Sequence, residues 1–214
     1  MHLPTPEDIR SWPQFTAHRP LRLLVSACLS GVLCGVDGTA NGEYPWIRKL
    51  MALPNVKPVT FCPEDFAFGT PRDLPDIHGG DGFAVLEGKA RVLTQNGEDC
   101  TAGMLKAAHE MLRIAVEHRI DLAVLMDMSA ACGSQVISDG CRRVAVRKYQ
   151  QGPGVAAALL LRSGFKVVSQ RDFRTLEYLY HKLDPDHPVD SAARDHHETP
   201  WYRSYFGKSD ASAG

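Results

Sequence analysis

Short apolar runs alternate with segments of helical periodicity along this chain, and the alternation limits the possible folds more than any other feature. The runs at residues 21–27, 56–61, 121–126 and 165–169 have the length and apolar character of buried strands. Helical segments separate them, as in βαβ units. The pattern predicts an α/β fold: an open, mainly parallel, Rossmann-like sheet with helices on both faces.

The remaining segments complete the predicted organisation. Helices are expected from the Thr5 cap to about Phe15 and over 44–53, 101–118 (capped by Asp99 or Thr101), 155–162 and 171–183. Residues 83–86 and 90–93 are expected to form an inserted β-hairpin. Periodicity is lost after residue 183. We therefore expect a helical lead (1–20), one α/β domain (21–183) and an extended tail (184–214), fixed by Trp201, Tyr202, Tyr205 and Phe206.

Composition excludes several classes of protein. The apolar fraction of 44% and a net charge of −1 argue against a disordered chain. The balance of 24 Lys and Arg against 25 Asp and Glu disfavours binding of nucleic acid through overall charge. No apolar run approaches the roughly 20 residues that cross a bilayer, and the first residues lack a signal-peptide pattern. We expect a soluble, cytoplasmic protein that does not bind membranes.

Six cysteines are spread over the chain without a CxxC pair, too few for a disulfide scaffold. Cys28, Cys62 and Cys132 each follow the end of a predicted strand. The carboxyl ends of parallel strands share one edge of a sheet, so the three thiols would meet if the strands are neighbours. Three thiolates suit zinc or iron–sulfur chemistry, and on a 4Fe-4S cluster they would leave one iron open to substrate.

Other residues have simpler interpretations. A cysteine at a strand end is often only a small apolar filler. Cys34 is expected to pack near the site, although it could replace a ligand, whereas Cys100 and Cys141 are expected to be structural. Gly152-Pro153-Gly154 is expected to be a loop, with amide groups that could face an anion. The neighbouring His196 and His197 of the polar tail are expected to be solvated.

Six motifs occur along the chain in a fixed order: VSACLSG (25–31), CxxDG (34–38), CPE (62–64), GTPR (69–72), SAACGS (129–134) and GPGVAAALL (152–160). In this order and spacing the chain resembles domain-of-unknown-function family 523, which includes iron–sulfur thiouracil desulfidases. The resemblance covers residues 21–170. The chain departs from the family pattern at Val36, Ala130, Ala131, Ser138 and Gln170.

The resemblance implies a role for each matching residue. Cys28, Cys62 and Cys132 would hold a 4Fe-4S cluster with one open iron, and Glu64 and Ser129 would form the catalytic pair. The expected substrate-binding residues are Ser30, Asp37, Arg72, Gly133 and Ser134. The implied reaction replaces the sulfur of a thiocarbonyl heterocycle, such as thiouracil, by oxygen from water and releases sulfide without redox change.

Two other functions remain open from the sequence. The same site would serve a non-catalytic iron–sulfur or sulfide-carrying module that acts for a partner enzyme. Alternatively, the thiols bind zinc, or are only buried in a nucleotide-binding α/β domain. For the leading hypothesis the expected partner is a small thiolated heterocycle, and the sequence does not indicate an oligomeric state.

Overall fold

A computed structural model describes residues 3–40 and 44–207. This part of the chain contains eight α-helices and eight strands, together with two short 3-10 turns at Ala27–Ser30 and His196–Glu198. In chain order the elements are α1 (Pro6–Ser11), β1 (Leu21–Ser26), α2 (Pro45–Met51), β2 (Val56–Phe61), α3 (Pro63–Phe68), β3 (Pro75–His78), α4 (Gly82–Leu86), β4 (Arg91–Thr94), α5 (Thr101–Glu117), β5 (Leu122–Leu125), β6 (Val136–Ser138), β7 (Tyr149–Gln151), α6 (Val155–Arg162), β8 (Val167–Ser169), α7 (Phe173–Leu183) and α8 (Pro200–Phe206).

The central sheet has four parallel strands in the order β2-β1-β5-β8. Val25 of β1 lies between Thr60 of β2 and Val124 of β5, which fixes the register at the carboxyl end. β5 is fully buried, as its continuous apolar sequence requires. The four strands are those that the apolar runs predict, so the predicted α/β fold is confirmed.

Helices flank this sheet and bury their apolar faces. α5 packs against α3 and α6, α6 packs against α4, and α1 packs against α7. The apolar residues of α5 recur at helical spacing, and Met104, Ala108, Met111 and Ala115 are all fully buried. Within the described ranges, no helix is long and apolar enough to cross a membrane.

The predicted hairpin is wrong in its first strand. Residues 82–86 form α4, because the Asp81 carboxylate caps the helix by accepting the Ala84 N–H at 3.0 Å. The antiparallel ribbon instead pairs β3 with β4, and Ile77 lies opposite Val92. A second ribbon of β6 and β7, as well as α3, was not predicted.

The N-terminal helix is shorter than predicted and ends at Ser11 instead of Phe15. Trp12 precedes Pro13 and has a ψ of 156°, the extended conformation that the proline ring favours in the residue before it. The other helix predictions agree with the structure to within about two residues, and 155–162 agrees at both ends.

The expectation of an extended tail is wrong for residues 196–206, which form a 3-10 turn and α8. Thr199 caps α8 and Pro200 occupies its first turn. The Tyr202 and Tyr205 hydroxyls accept hydrogen bonds from Gln151 Nε2 and the Tyr149 N–H, each at 2.8 Å, so aromatic residues do fix this segment. Residues 208–214 lie outside the described part, and the division at residue 183 stays a prediction.

Candidate functional site

The structure brings the three strand-end cysteines to one cavity of about 290 Å³. Cys28 lies in the 3-10 turn after β1, Cys62 directly follows β2, and Cys132 lies in the loop after β5. Because β2, β1 and β5 are neighbours in the sheet, their carboxyl ends lie side by side. The expected convergence of the three thiols is therefore present in the fold.

Cys34 is a fourth thiol of this cavity and so lies near the site, as the sequence suggested; that it could replace a ligand stays a prediction. The Cys62 thiol donates to the Cys34 carbonyl oxygen at 3.8 Å. The neighbouring Cys28 thiol and burial raise the pKa of Cys34 to about 11. The neighbouring Cys34 thiol and burial raise the pKa of Cys62, and burial raises that of Cys132. Metal binding here would therefore release protons.

Glu64 and Ser129, the expected catalytic pair, are in direct contact. Glu64 lies in the first turn of α3, and its Oε1 accepts the Ser129 hydroxyl proton at 2.9 Å. Its Oε2 is 2.9 Å from Arg72 Nη2, with both side chains almost completely buried. Arg72 is itself held by Gly69 O and Thr70 Oγ1, each at 3.1 Å. The carboxylate is therefore fixed at both oxygens.

Ser129 also connects Glu64 to the backbone of Cys132. Its Oγ accepts the backbone N–H of Ala131 at 3.1 Å and that of Cys132 at 3.0 Å while its proton goes to Glu64. This is the local side-chain-to-backbone bonding that serine provides in turns. A movement of Ser129 would therefore be transmitted both to the carboxylate and to the backbone of Cys132.

Glycines allow the loop between β5 and β6, which carries Ser129 and Cys132, to pack closely on the start of α6. The Gly154 N–H donates to Gly133 O at 2.8 Å, and the Gly152 N–H donates to Gln135 O at 2.9 Å. A Cβ on Gly154 would lie only 2.6 Å from the carbonyl oxygens of Ser129 and Ala130. The two amide groups of the Gly-Pro-Gly motif thus hold the chain together and are not free to face an anion.

The expected substrate-binding residues are only partly assembled. Asp37 and Arg72 line the cavity. Ser30, Gly133 and Ser134 are not among its lining residues: the Ser30 hydroxyl donates to Ala27 O at 2.8 Å, and Ser134 is fully buried. The Arg72 guanidinium is engaged by Glu64 and the neighbouring loop, so its observed contacts position the carboxylate.

Three cavity residues that the sequence analysis missed are arginines. Arg142 pairs with Asp76 at 2.5 Å, whereas Arg143 and Arg147 have no ion-pair partner within 4 Å among the described residues. The signal in the sequence was the basic run RRVAVRK at 142–148. The charge of Arg143 already acts on the Asp37 carboxylate of the same cavity, and together with Arg147 it would attract an anionic group.

The donor set of the cavity fits a soft metal centre. Its cysteine thiols are the ligand type that iron–sulfur clusters use. No three His, Cys, Asp or Glu side chains within 3–40 and 44–207 surround a single point as ligands of one metal ion. A cluster of several irons takes each thiolate at a different iron, so its ligands lie farther apart. Cys100 and Cys141 do not line the cavity.

The fold and the cavity together define an α/β protein with a thiol-lined site at the carboxyl edge of a parallel sheet. The sequence profile of the 2-thiouracil desulfurase family matches residues 23–172. The chain belongs to this family, as the ordered motifs indicated. The match includes every residue that we expected to bind metal, substrate or protons.

Two similar proteins each match more than two thirds of the chain. The uncharacterized protein YbbK of Bacillus subtilis (strain 168) is 36% identical over 155 residues, which are 72% of this chain and 99% of YbbK. A solved structure of TudS, described as a [4Fe-4S]-dependent thiouracil desulfidase, is 32% identical with a TM-score of 0.57. The TudS match covers 70% of this chain and 90% of TudS. TudS therefore shares the fold of most of this chain.

Proposed function

We propose that this protein is a 4Fe-4S-dependent desulfidase. It removes sulfur from a thiocarbonyl heterocycle, either thiouracil or a related thiolated nucleobase. The observation that supports this most directly is the meeting of Cys28, Cys62 and Cys132 beside the Glu64–Ser129 pair. The family match and the likeness to TudS, a [4Fe-4S]-dependent thiouracil desulfidase, support the same chemistry.

In this proposal Cys28, Cys62 and Cys132 are the cluster ligands. A bound cluster with three protein ligands supplies an open, Lewis-acidic iron with affinity for sulfur. Cys34 lies beside these ligands as an additional thiol. Cys28, Cys34 and Cys132 are buried, which strengthens electrostatic interactions beside them.

The protein side chains manage the protons. Glu64 takes a proton from the water that attacks the thiocarbonyl carbon, and Arg72 and Ser129 hold its carboxylate in a fixed orientation. Ser129 hydrogen-bonds the heterocycle or passes a proton to its nitrogen. One water replaces one sulfur, so a C=S group becomes a C=O group and hydrogen sulfide leaves. Electrons balance without a reductant.

Charge in the cavity favours one class of substrate. Arg143 and Arg147 line the cavity without ion-pair partners among the described residues. A thiolated base that carries an anionic group would gain from these cations, whereas a neutral base would not. The substrate screen should therefore contain matched neutral and anionic forms of each heterocycle.

The test is anaerobic reconstitution with iron and sulfide, followed by incubation with 2- and 4-thiouracil and with the nucleoside monophosphates of the same bases. We expect the desulfurated base and sulfide in equal amounts. Glu64→Gln should keep the cluster absorbance near about 400 nm and lose turnover. Glu87→Gln, on the surface, is the matched control and should keep both.

Two outcomes would contradict the proposal. Cluster-loaded protein that desulfurates none of these compounds would indicate the carrier module instead. Full turnover by Glu64→Gln would remove Glu64 from the mechanism, because an amide does not accept the proton of the attacking water.

A further inference from the structure

α7 and the segment after it lie outside the family match. The family match ends at residue 172, and YbbK aligns along 99% of its own length with only 155 residues. We use the name C-terminal clamp for residues 195–206, the 3-10 turn and α8. Family membership therefore does not explain what the clamp does.

The clamp meets the β5–β6 loop, residues 126–135, at one buried carboxylate. Asp127 Oδ1 accepts the backbone N–H groups of Ser134 at 3.1 Å and of Gln135 and Val136 at 3.2 Å. These bonds close the loop that carries Ser129 and Cys132. Asp127 Oδ2 lies 2.6 Å from His196 Nδ1, and the two side chains are 0% and 2% exposed.

The charge states of this pair follow from the same contacts. Burial would raise the pKa of Asp127, but the hydrogen bonds from His196 and from the backbone N–H groups hold it below its ordinary value. The carboxylate is therefore ionised, and the Nδ1–H of His196 is the donor. A buried carboxylate that lost this donor would keep its charge with fewer partners, which is costly.

His196 is also held in place by contacts with α7, with the residue before it and with α8. Its backbone N–H donates to Asp172 Oδ1 at 3.1 Å, and its ring stacks on Trp201 with 5.5 Å between ring centroids and 9° between planes. Asp195 accepts the Thr175 N–H and hydroxyl, each at 2.8 Å, which fastens the turn to α7. The imidazole therefore reaches Asp127 from a fixed support.

The β5–β6 loop needs such support. Met128, one residue after Asp127, has a φ of +60°, a left-handed backbone conformation that residues other than glycine adopt only at a cost in free energy. The next residue is Ser129, whose hydroxyl connects Glu64 to the Cys132 backbone. A change in the backbone position of Asp127 would therefore displace Ser129 at the cavity.

We propose that His196 is a positioning residue: through its hydrogen bond to Asp127 it holds the β5–β6 loop so that Ser129 and the Cys132 thiol stay in place at the cavity. His196 does not line the cavity itself. The geometric part of this inference stands on the contacts alone, and its relevance to catalysis rests on the proposed desulfidase function.

The test uses the full-length, cluster-free, reduced protein, so it does not depend on turnover. His196→Leu removes the donor, whereas His196→Asn keeps an N–H near the Nδ1 position. His187→Leu is the matched control, because His187 contacts Glu177 and not the loop. The readouts are the alkylation rates of Cys132 and Cys100 and the amide hydrogen exchange of the β5–β6 loop.

We expect His196→Leu to accelerate alkylation of Cys132 by about tenfold or more, the effect of losing one charge-assisted hydrogen bond, with the Cys100 rate unchanged. His196→Asn and His187→Leu should behave like the wild type. A general loss of stability would instead accelerate both cysteines equally, and that result would overturn the inference. If His196→Leu left both the alkylation rate of Cys132 and the amide hydrogen exchange of the β5–β6 loop unchanged, the inference would be overturned as well.

If His196→Leu does not fold, His196→Gln replaces it, since the Gln amide corresponds to Nε2 and not to Nδ1. The Gln variant should then show the faster Cys132 reaction and the Asn variant the wild-type rate; equal rates refute the proposal. A chain that never loads iron would disprove the desulfidase function but leave these rates unaffected. The two hypotheses can thus fail separately.

Discussion

Replacing Arg72 by methionine removes the cation from the Glu64 ion pair while keeping a side chain of similar length. The pair is 2.9 Å long, and the side chains of Arg72 and Glu64 are only 4% and 10% exposed. The substitution also removes the donors to Gly69 O and Thr70 Oγ1. Glu64 keeps one partner, the hydroxyl of Ser129.

The size of the effect follows from this burial. Loss of one partner of a buried ion pair costs about 3–5 kcal/mol. Because Glu64 keeps its hydrogen bond with Ser129, Arg72→Met should lower the free energy of unfolding by about 3 kcal/mol, the lower end of this range. Glu64→Gln should cost less, about 2 kcal/mol, because Arg72 keeps three other acceptors, Gly35 O, Gly69 O and Thr70 Oγ1. The double variant should lose less than the sum, with a coupling energy of about 1.5–3 kcal/mol.

The assay is urea unfolding of the cluster-free, reduced protein for the wild type, both single variants and the double variant. Arg91→Met is the matched control, because its ion pair with Asp99 is exposed and should contribute little. Additive losses, within about 0.5 kcal/mol, would show that Arg72 and Glu64 do not stabilise each other. Arg72 would then be free for the substrate contact that the sequence suggested.

Three further predictions concern the same edge of the sheet. Ser129→Ala removes the hydroxyl between Glu64 and the Cys132 backbone, so turnover should fall at least about tenfold with the cluster absorbance retained; an unchanged rate would contradict its role. Gly154→Ala places a Cβ 2.6 Å from two carbonyl oxygens and should lower the free energy of unfolding by about 1–3 kcal/mol in urea titrations, whereas wild-type stability would contradict the close approach. Burial raises the pKa of Asp172 from 3.8 to about 6, so its native state binds the proton more tightly than the unfolded chain. Its contribution to stability should be full below pH 3.8 and fall by about 3 kcal/mol as the pH rises through about 6. Asp172→Asn should remove this dependence of the free energy of unfolding on pH, measured by urea unfolding at several pH values. An identical pH dependence in both proteins would contradict the raised pKa of Asp172.

The sequence predicted the parts of the fold that local pattern determines. The central strands β1 and β5 are short apolar runs, because a parallel strand covered on both faces must be apolar. The edge strand β2 is buried only at Val56 and contains Lys57 and Thr60, so the expectation of a buried strand is wrong there. Cys28, Cys62 and Cys132 converge because the ends of neighbouring parallel strands share an edge. The order β2-β1-β5 could not be derived from the residues, since nothing local states which strands pair.

Other features were missed for two reasons. The apolar run at 83–86 suits a strand or a helix, and a local signal, the Asp81 cap, decides for α4. The rest depend on contacts between distant residues. The burial of His196 depends on Asp127, 69 positions earlier in the chain, so no pattern within the polar tail indicates it. Cys34 similarly reaches the cavity through the course of its loop and not through an element with a recognisable period.

The central claim is that three particular thiols hold an iron–sulfur cluster, and iron content tests it most directly. Iron and acid-labile sulfide per chain should be measured after anaerobic reconstitution of the wild type and of single Cys→Ser variants. We expect about four irons in the wild type, in Cys34→Ser and in the control Cys100→Ser, and a large loss in the variants of Cys28, Cys62 and Cys132. A full complement of iron in any of those three, or a loss confined to Cys100→Ser, would contradict the claim.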